Sequence, residues 1–472
     1  MKKILLSLAV VSGLFSNAFG DDIADLKAEI EALNKKVTKL QSQQKRTKKS
    51  LAKVRAHDAF DNIKFDIDFR TSYDYLSYKT ATKTVTNDAL YSNRLWLGMG
   101  FQPTKEMIFK GQLAFNKAFG ADTNGRGSGY DGFDWVVNET LTDDTLKVRE
   151  AYWLWTPTVA GFGTTLSVGR RPATNGYLIN LRDDDKAKSP QGHIINMEFD
   201  GLSASVKLDR YIFGSYLKLC LGRGLTNAKA RFDAEGLDYT ADGSDTALNN
   251  MDFVGALAKL YDDGQYSAMA TYYRAFNVPG MDMAASSASS MPALRTFGDM
   301  DGAALSAKMQ GIGDMINDFL DDTILFASVA WTQTRPDANQ PMLGSYNKES
   351  GYSYWIGAQV PNLTGGKFGL EFNHGSKYWR PFTYGEDTMI GSKMATRGNA
   401  YEAYWTQPII KKDGKSIFSM QIRYTYLDYD YTGSNTFFGD AGTPLEIGSD
   451  AANAMDAVSS AQDLRVYFRY RY

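Results

Sequence analysis

The sequence predicts an all-β transmembrane barrel of about sixteen antiparallel strands, with fourteen to eighteen as the range, preceded by an N-terminal coiled-coil helix. Three observations carry the barrel. Apolar and polar residues alternate with period two in segment after segment from residue 62 to the end, as in strands with one apolar face. The links are unequal: short ones such as 102–105, 156–161, 361–366 and 413–414 stand beside links of roughly twenty to thirty residues, as in barrels with short inner turns and long outer loops. Aromatic residues gather toward strand ends, at Tyr73 and Tyr75, Trp153 and Trp155, and Tyr424 and Tyr426, where interfacial girdles belong. A soluble sandwich would also use half-apolar strands, but an export signal and the unequal links favour the membrane.

Residues 1–20 read as that signal. Lys2 and Lys3 precede a short apolar run, and Ala18 and Gly20 supply small residues for cleavage after Gly20. The run is too short to span a bilayer comfortably. Residues 21–56 read as a coiled coil in the periplasm. Ile23, Leu26, Ile30, Leu33, Val37 and Leu40 recur at spacings of three and four, and Leu51 and Val54 extend the register past Gln44 and Thr47. Such a narrow stripe predicts self-association. Branched and leucine core positions favour two strands, and a trimeric body could impose three. A single helix lying along the barrel or the cell wall is the alternative. The basic run 45–49 fits a solvated face or anionic headgroups, and 57–61 is a linker.

The expected strands are 62–73, 91–101, 107–116, 147–156, 162–170, 193–199, 202–210, 215–222, 252–260, 265–275, 323–333, 352–360, 367–375, 398–406, 416–427 and 463–472. This assignment puts 223–251 and 276–322 at the periplasmic end, where links should be short. Segment 276–322 contains six methionines, and Ala303–Phe319 could form a short amphipathic helix. A constriction or partial plug of the lumen is one reading of it. A space-filling loop and a thioether copper site are the alternatives.

Little in the chain points to catalysis. HExxH, GxSxG, CxxC and a strand-to-helix GxGxxG are all missing, so no enzyme is expected. Cys220, a lone cysteine, excludes an internal disulfide, and His57, His193 and His374 leave little room for a histidine-rich metal site. Asp183, Asp184 and Asp185 form an acidic run suited to a solvated loop or to calcium, but no cofactor is assigned. A net charge of −2 gives no reason to expect nucleic acid.

The candidate functional residues are charges that alternation turns toward the lumen: Arg70, Arg94, Lys110, Arg149, Lys207, Lys259, Arg423, Arg465, Arg469 and Arg471. Asp66, Asp68, Glu150 and Glu371 offset them, and the facing of 147–156 is ambiguous. Rings of such groups bias which ions pass. As wall residues in salt bridges they would only stiffen the barrel. In the closing strand, Leu464, Val466, Phe468 and Tyr470 face lipid while Arg465, Arg469 and Arg471 face the lumen. Phe468, Tyr470 and Tyr472 read as the signal for outer-membrane assembly.

The segments SNRLWLGMGFQPT (92–104), VREAYW (148–153), SVGRRPATNGYLINLR (167–182) and VYFRYRY (466–472) resemble an uncharacterised family of porin-like outer-membrane proteins of epsilonproteobacteria and other anaerobic bacteria. The likeness covers roughly residues 60 to 472. GRRP at 169–172 is more loosely similar to phosphate-selective porins, some of which carry a coiled coil. No arginine ladder matches theirs residue by residue, so phosphate selectivity does not carry over. The resemblance implies an outer-membrane channel, a homotrimer, passing ions and small polar solutes by diffusion. Its partners would be membrane lipid, the assembly machinery and, through the helix, peptidoglycan. A wall-tethering barrel and a long-looped adhesin or scaffold are the rival readings.

Overall fold

The computed structural model describes residues 63–472 except 121–140, 142–145, 233, 244–247, 283–292, 314–315 and 384–387, together with Ile30, Leu33 and Val37. Sixteen long strands run through the described residues: β1 Lys64–Thr80, β2 Thr84–Phe101, β3 Met107–Ala118, β4 Leu146–Trp155, β5 Phe162–Ala173, β6 Ile195–Lys207, β7 Tyr216–Leu225 and β8 Met251–Asp262. They continue as β9 Tyr266–Asp282, β10 Ala293–Gln310, β11 Ile324–Pro336, β12 Ser350–Pro361, β13 Lys367–Gly375, β14 Gly398–Lys412, β15 Lys415–Tyr429 and β16 Val458–Arg471. Each pairs antiparallel with the next, and β16 pairs with β1 from Asp68↔Arg471 to Thr80↔Val458. Ile67 and Tyr472 exchange backbone hydrogen bonds of 3.0 and 2.9 Å beside this seam. Closure leaves no unpaired edge, as a sheet in lipid requires.

The links sort by end. One end carries 102–106, 156–161, 208–215, 263–265, 311–323, 362–366 and 413–414. The other carries 81–83, 119–145, 174–194, 226–250, 283–292, 337–349, 376–397 and 430–457. Two strand assignments change to give this order. The expected strands 193–199 and 202–210 are one strand, β6, which continues through Gly201. Gly201 lies opposite Gly222 in β7, and a Cβ on Gly201 would overlap the Leu221 carbonyl. The apparent turn at Asp200-Gly201 is thus a close approach of two strands. The expected helix within 303–319 is instead mostly strand β10. Its small residues hide the alternation: Gly302, Ala304 and Ser306 pair with inward Thr332, Ala330 and Ser328, while Leu305 is opposite exposed Val329. The two changes offset one another in number. They also move both awkward links to the long-link end, and residues 276–282 and 293–310 of the methionine-bearing segment are wall strands.

The coiled-coil part of the expected fold is withdrawn. No helix among the described residues is longer than the five-residue Asp450–Ala454, and none is long and apolar enough to cross a membrane. Of the expected core positions, Ile30, Leu33 and Val37 are helical but exposed. Ile23, Leu26, Leu40, Leu51 and Val54 lie outside the described residues, as do the signal 1–20 and the linker 57–61.

The barrel reverses the distribution of a soluble protein. Leu202, Leu219, Val254, Leu305, Val329, Ile356, Leu370 and Phe468 are exposed on the outer wall, while Arg149, Arg423 and Arg465 are almost wholly buried inside. An apolar surface this extensive needs lipid rather than water against it. Toward the long-link end it gives way on β5 to β10 to ion pairs: Arg170–Asp200 at 3.5 Å, Arg223–Asp252 at 2.7 Å and Arg274–Asp301 at 2.8 Å. Elsewhere the rim is aromatic, with Tyr73 on Tyr91 at 5.2 Å and Phe372 on Tyr401 at 5.2 Å.

Inward glycines let aromatic rings lie flat along the wall. Phe326 covers Gly357 and Tyr404 covers Gly369, and an added Cβ at either glycine would overlap the ring. Gly100, also in a strand, has nothing within 4 Å of such a Cβ. Gly369→Val should therefore destabilise the barrel by about 1–3 kcal/mol, lowering its urea midpoint and weakening the fast-migrating folded band on unheated gels. Gly100→Val should change neither.

Candidate functional site

The interior is organised by residues 174–194, which leave β5 at the long-link end and cross the lumen before β6 begins. Turn chemistry starts the crossing: Asn175 and Leu178 take φ of 49° and 79°. Tyr177, Leu178, Ile179 and Leu181 then bury themselves with Met269, Ile324, Phe326, Trp355 and Met394. Polar contacts tie the crossing to strands around the wall. Tyr177 Oη donates to the Ser267 carbonyl at 3.0 Å, and Gln191 Nε2 donates to the Met269 carbonyl at 2.7 Å. Gln359 Nε2 donates to the Leu181 carbonyl at 2.9 Å, and Gln421 Nε2 to the Arg182 carbonyl at 2.9 Å.

The acidic run meets the arginines of the closing strand. Asp183 accepts from Tyr467 Oη at 3.0 Å. Asp185 lies 3.0 Å from both Arg469 and Arg471, and Lys367 reaches Asp184 at 2.6 Å. Burial alone would raise the Asp184 carboxyl, but Lys367, then Arg471 and Arg469, hold it below the ordinary carboxylate range. Each of the three aspartates thus has a partner from the protein, and among the described residues no group of three or more His, Cys, Asp or Glu could hold a metal ion.

Two further long links fold inward. Phe382–Thr383 adds a parallel bridge to Ile195–Asn196, and Phe438–Gly439 adds one to Gly280–Met281. Trp379, Phe382 and Phe438 join a core with Phe253, Tyr273 and Phe297. Lys393 sits between Glu371, at 2.6 Å, and Glu402, which also takes Arg182 at 3.1 Å. Arg397 donates to the carbonyls of Trp379, Thr432 and Gly442 at 3.0, 2.8 and 2.7 Å. Burial, then the neighbouring Arg380 charge, lowers it to about 9. His193 bridges Ser328 at 2.7 Å and Ser353 at 2.9 Å. Burial pushes its imidazole down to about 3, so it is neutral.

Space remains on the opposite side. A cavity of about 920 Å³ lies between the crossing segment and the wall of β1 to β4 and β7 to β9, at the short-link end. Six basic residues line it: Lys64, Lys110, Arg171, Lys186, Lys188 and Lys259. The acidic ones are Asp66, Glu150 and Asp262. Lys188 pairs with Glu150, and Lys259 lies 3.0 Å from Asp262 and 4.4 Å above the Tyr177 ring. Burial, then the Arg149 charge, pushes the Lys188 ammonium below its ordinary value, against the pull of Glu150.

The ambiguous facing of β4 has a structural cause. A bulge at Arg149 shifts the register between Gln112↔Glu150 and Leu113↔Val148, so Arg149 and Glu150 are both buried. Of the sequence candidates, Lys110 and Lys259 line the cavity. Arg94 lies 3.4 Å from Asp68 and 3.6 Å over Trp96, and Arg70 stacks 5.1 Å over Tyr467. Arg149 contacts Gln112 at 2.8 Å, Thr174 at 2.6 Å and Glu198 at 3.2 Å. Arg465 pairs with Asp74, and Arg469 bonds Asp68 at 2.9 Å. Arg423 is buried and Arg471 partly so, while Lys207 is exposed at the short-link end of β6. Among the residues expected to signal assembly, Phe468 stacks on Phe418 at 5.8 Å, and Tyr470 and Tyr472 are exposed. Lys64, Arg171, Arg182, Lys186, Lys188 and Lys393 were not among the candidates. The apolar run Tyr177–Ile179 inside a long link was the available signal for the inward fold.

His193 yields a pH prediction. Its folded pKa lies below the ordinary 6.5, so the unfolded chain binds the extra proton as pH falls. Its contribution is complete above pH 6.5 and declines toward pH 3. Wild-type stability should fall by about 2 kcal/mol between pH 6.5 and 5 if His193 acts alone, lowering the urea midpoint, and His193→Gln should remove most of that slope.

OmpTdeltaL8, a loop L8 deletion mutant of the Vibrio cholerae outer membrane protein OmpT, is similar at 10% identity and TM-score 0.45, over 87% of this chain and 99% of its own. An anion-selective porin from Comamonas acidovorans is similar at 12% identity and TM-score 0.48, over 87% and 99%. Salmonella typhi OmpF, in complex with daunomycin, is similar at 10% identity and TM-score 0.46, over 88% and 99%. No curated protein matches the chain. A closed sheet with an apolar outer wall and a charged interior is an outer-membrane β-barrel. Through a match over residues 84–472, the chain belongs to the family described as "Protein of unknown function (DUF3373)".

Proposed function

We propose that this protein is an outer-membrane porin through which ions and small polar solutes diffuse. The observation that carries the reading is the charged cavity of about 920 Å³ left between the crossing segment and the wall. Diffusion needs width, charge and a constriction, and no reacting group. Residues 174–194 are the constriction in this reading, and Lys110 and Lys259 are the sequence candidates that meet the permeating solute. Arg70, Arg94, Arg149, Arg465 and Arg469 act through the wall, by holding the shape of the lumen. Outer-membrane lipid covers the apolar face, two further copies complete a homotrimer, and the assembly machinery reads Phe468, Tyr470 and Tyr472.

Purified protein in a planar lipid bilayer should give stepwise openings. Replacing residues 178–189 by a short glycine-serine linker should raise the single-channel conductance at least about twofold, because the replaced side chains occupy lumen. Silence from wild-type protein that runs as a folded band would overturn the reading. Equal conductance in the two proteins would remove 174–194 as the constriction.

A further inference from the structure

The whole chain is slightly acidic, with a formal charge of −2, yet its lumenal cavity is basic. Its lining has three more positive than negative side chains. The positive groups also differ in their commitments. Lys188 and Lys259 are paired within the cavity, with Glu150 and Asp262. Arg171 spends its guanidinium on neutral groups, 3.2 Å from Ser203 Oγ and 4.8 Å over the Tyr152 ring. Lys64, Lys110 and Lys186 make no hydrogen bond or salt bridge among the described residues. Lys64 and Lys110 flank Gly100 in one row of the wall, and Lys186 comes from the crossing segment on the other side of the space. The acid without a salt bridge on this lining is Asp66.

Unpaired ammonium groups around a confined aqueous space concentrate anions, because low-dielectric walls focus the field that bulk water would screen. A multivalent anion gains from several ammonium groups at once, and a monovalent one from fewer. We infer that the cavity is an anion site on the permeation path, selective for small multivalent anions such as polycarboxylates, with Lys64, Lys110 and Lys186 as the residues that set the selectivity. The inference rests on the channel reading above and adds the class of solute. Arg70, Arg94, Arg465 and Arg469 are excluded from this role because aspartates or aromatic rings already hold them.

The test is the reversal potential of the full-length protein in planar bilayers under a KCl gradient, followed by citrate added to symmetric KCl. Wild type should favour chloride over potassium by a factor on the order of three, and citrate should reduce its current. The triple variant Lys64→Glu, Lys110→Glu, Lys186→Glu should invert the sign of the reversal potential and lose the citrate effect. Should that variant fail to give a folded band, the triple glutamine variant should show the chloride preference reduced toward unity. Wild-type channels that favour potassium, or a preference unmoved in both variants, would overturn the inference while leaving the channel reading in place. Absence of any wild-type channel would overturn both.

Discussion

Barrel closure and the contents of the lumen depend on the same set of ion pairs, along the seam where β16 meets β1. Arg469 lies opposite Arg70, and Arg70 opposite Arg94. Such like-charge neighbours would repel one another if left alone. Asp68 is placed among them and contacts both Arg94 and Arg469, while Asp74 pairs with Arg465. Asp463 of β16 is buried on the same face, and further acid comes from the crossing segment, where Asp185 reaches Arg469 and Arg471. Residues 183–185 therefore contribute to neutralising the seam. Removing one partner from a buried pair leaves an uncompensated charge and costs roughly 3–5 kcal/mol, so the segment adds to the stability of the closed sheet.

The same logic divides the lumen. One part is filled by apolar residues from the long links and by neutralised groups such as Lys393 between Glu371 and Glu402. The other keeps its volume because its inward positions include Gly98 and Gly100 in place of bulky residues, and because its lysines favour water. In the proposed channel, passage is thereby confined to one flank, beside the crossing segment. An off-axis path needs a rigid divider, and hydrogen bonds from β9, β12 and β15 supply it.

Much of this was legible in the residues. Clean alternation in DLRVYFRYRY placed Arg465, Arg469 and Arg471 inside and Leu464, Phe468 and Tyr470 outside, where the barrel has them. Alternation could not say whether an inward arginine meets water or an aspartate, since Asp183–Asp185 and Arg469 are far apart in the chain. Strand β10 was missed because Gly302, Ala303, Ala304 and Ala307 carry too little contrast between faces. Strand β6 was split because a glycine marks a turn and a close strand approach alike, and only the partner Gly222 distinguishes them. The β4 bulge shifts the facing by one residue, which no period-two reading contains. The inward path of 174–194 is not legible in the sequence, because link length reports which end a loop leaves from and not where it goes.

Hydrogen–deuterium exchange of the folded protein in lipid tests the central claim, that residues 174–194 are built into the lumen, most directly. The amides of Leu181, Asp185, Lys188 and Gly192 are bonded to the carbonyls of Leu178, Asn180, Asn175 and Tyr177. They should exchange on the slow timescale of the neighbouring strands β5 and β6. Exchange across 178–192 as fast as in the exposed link 226–232 would contradict the account.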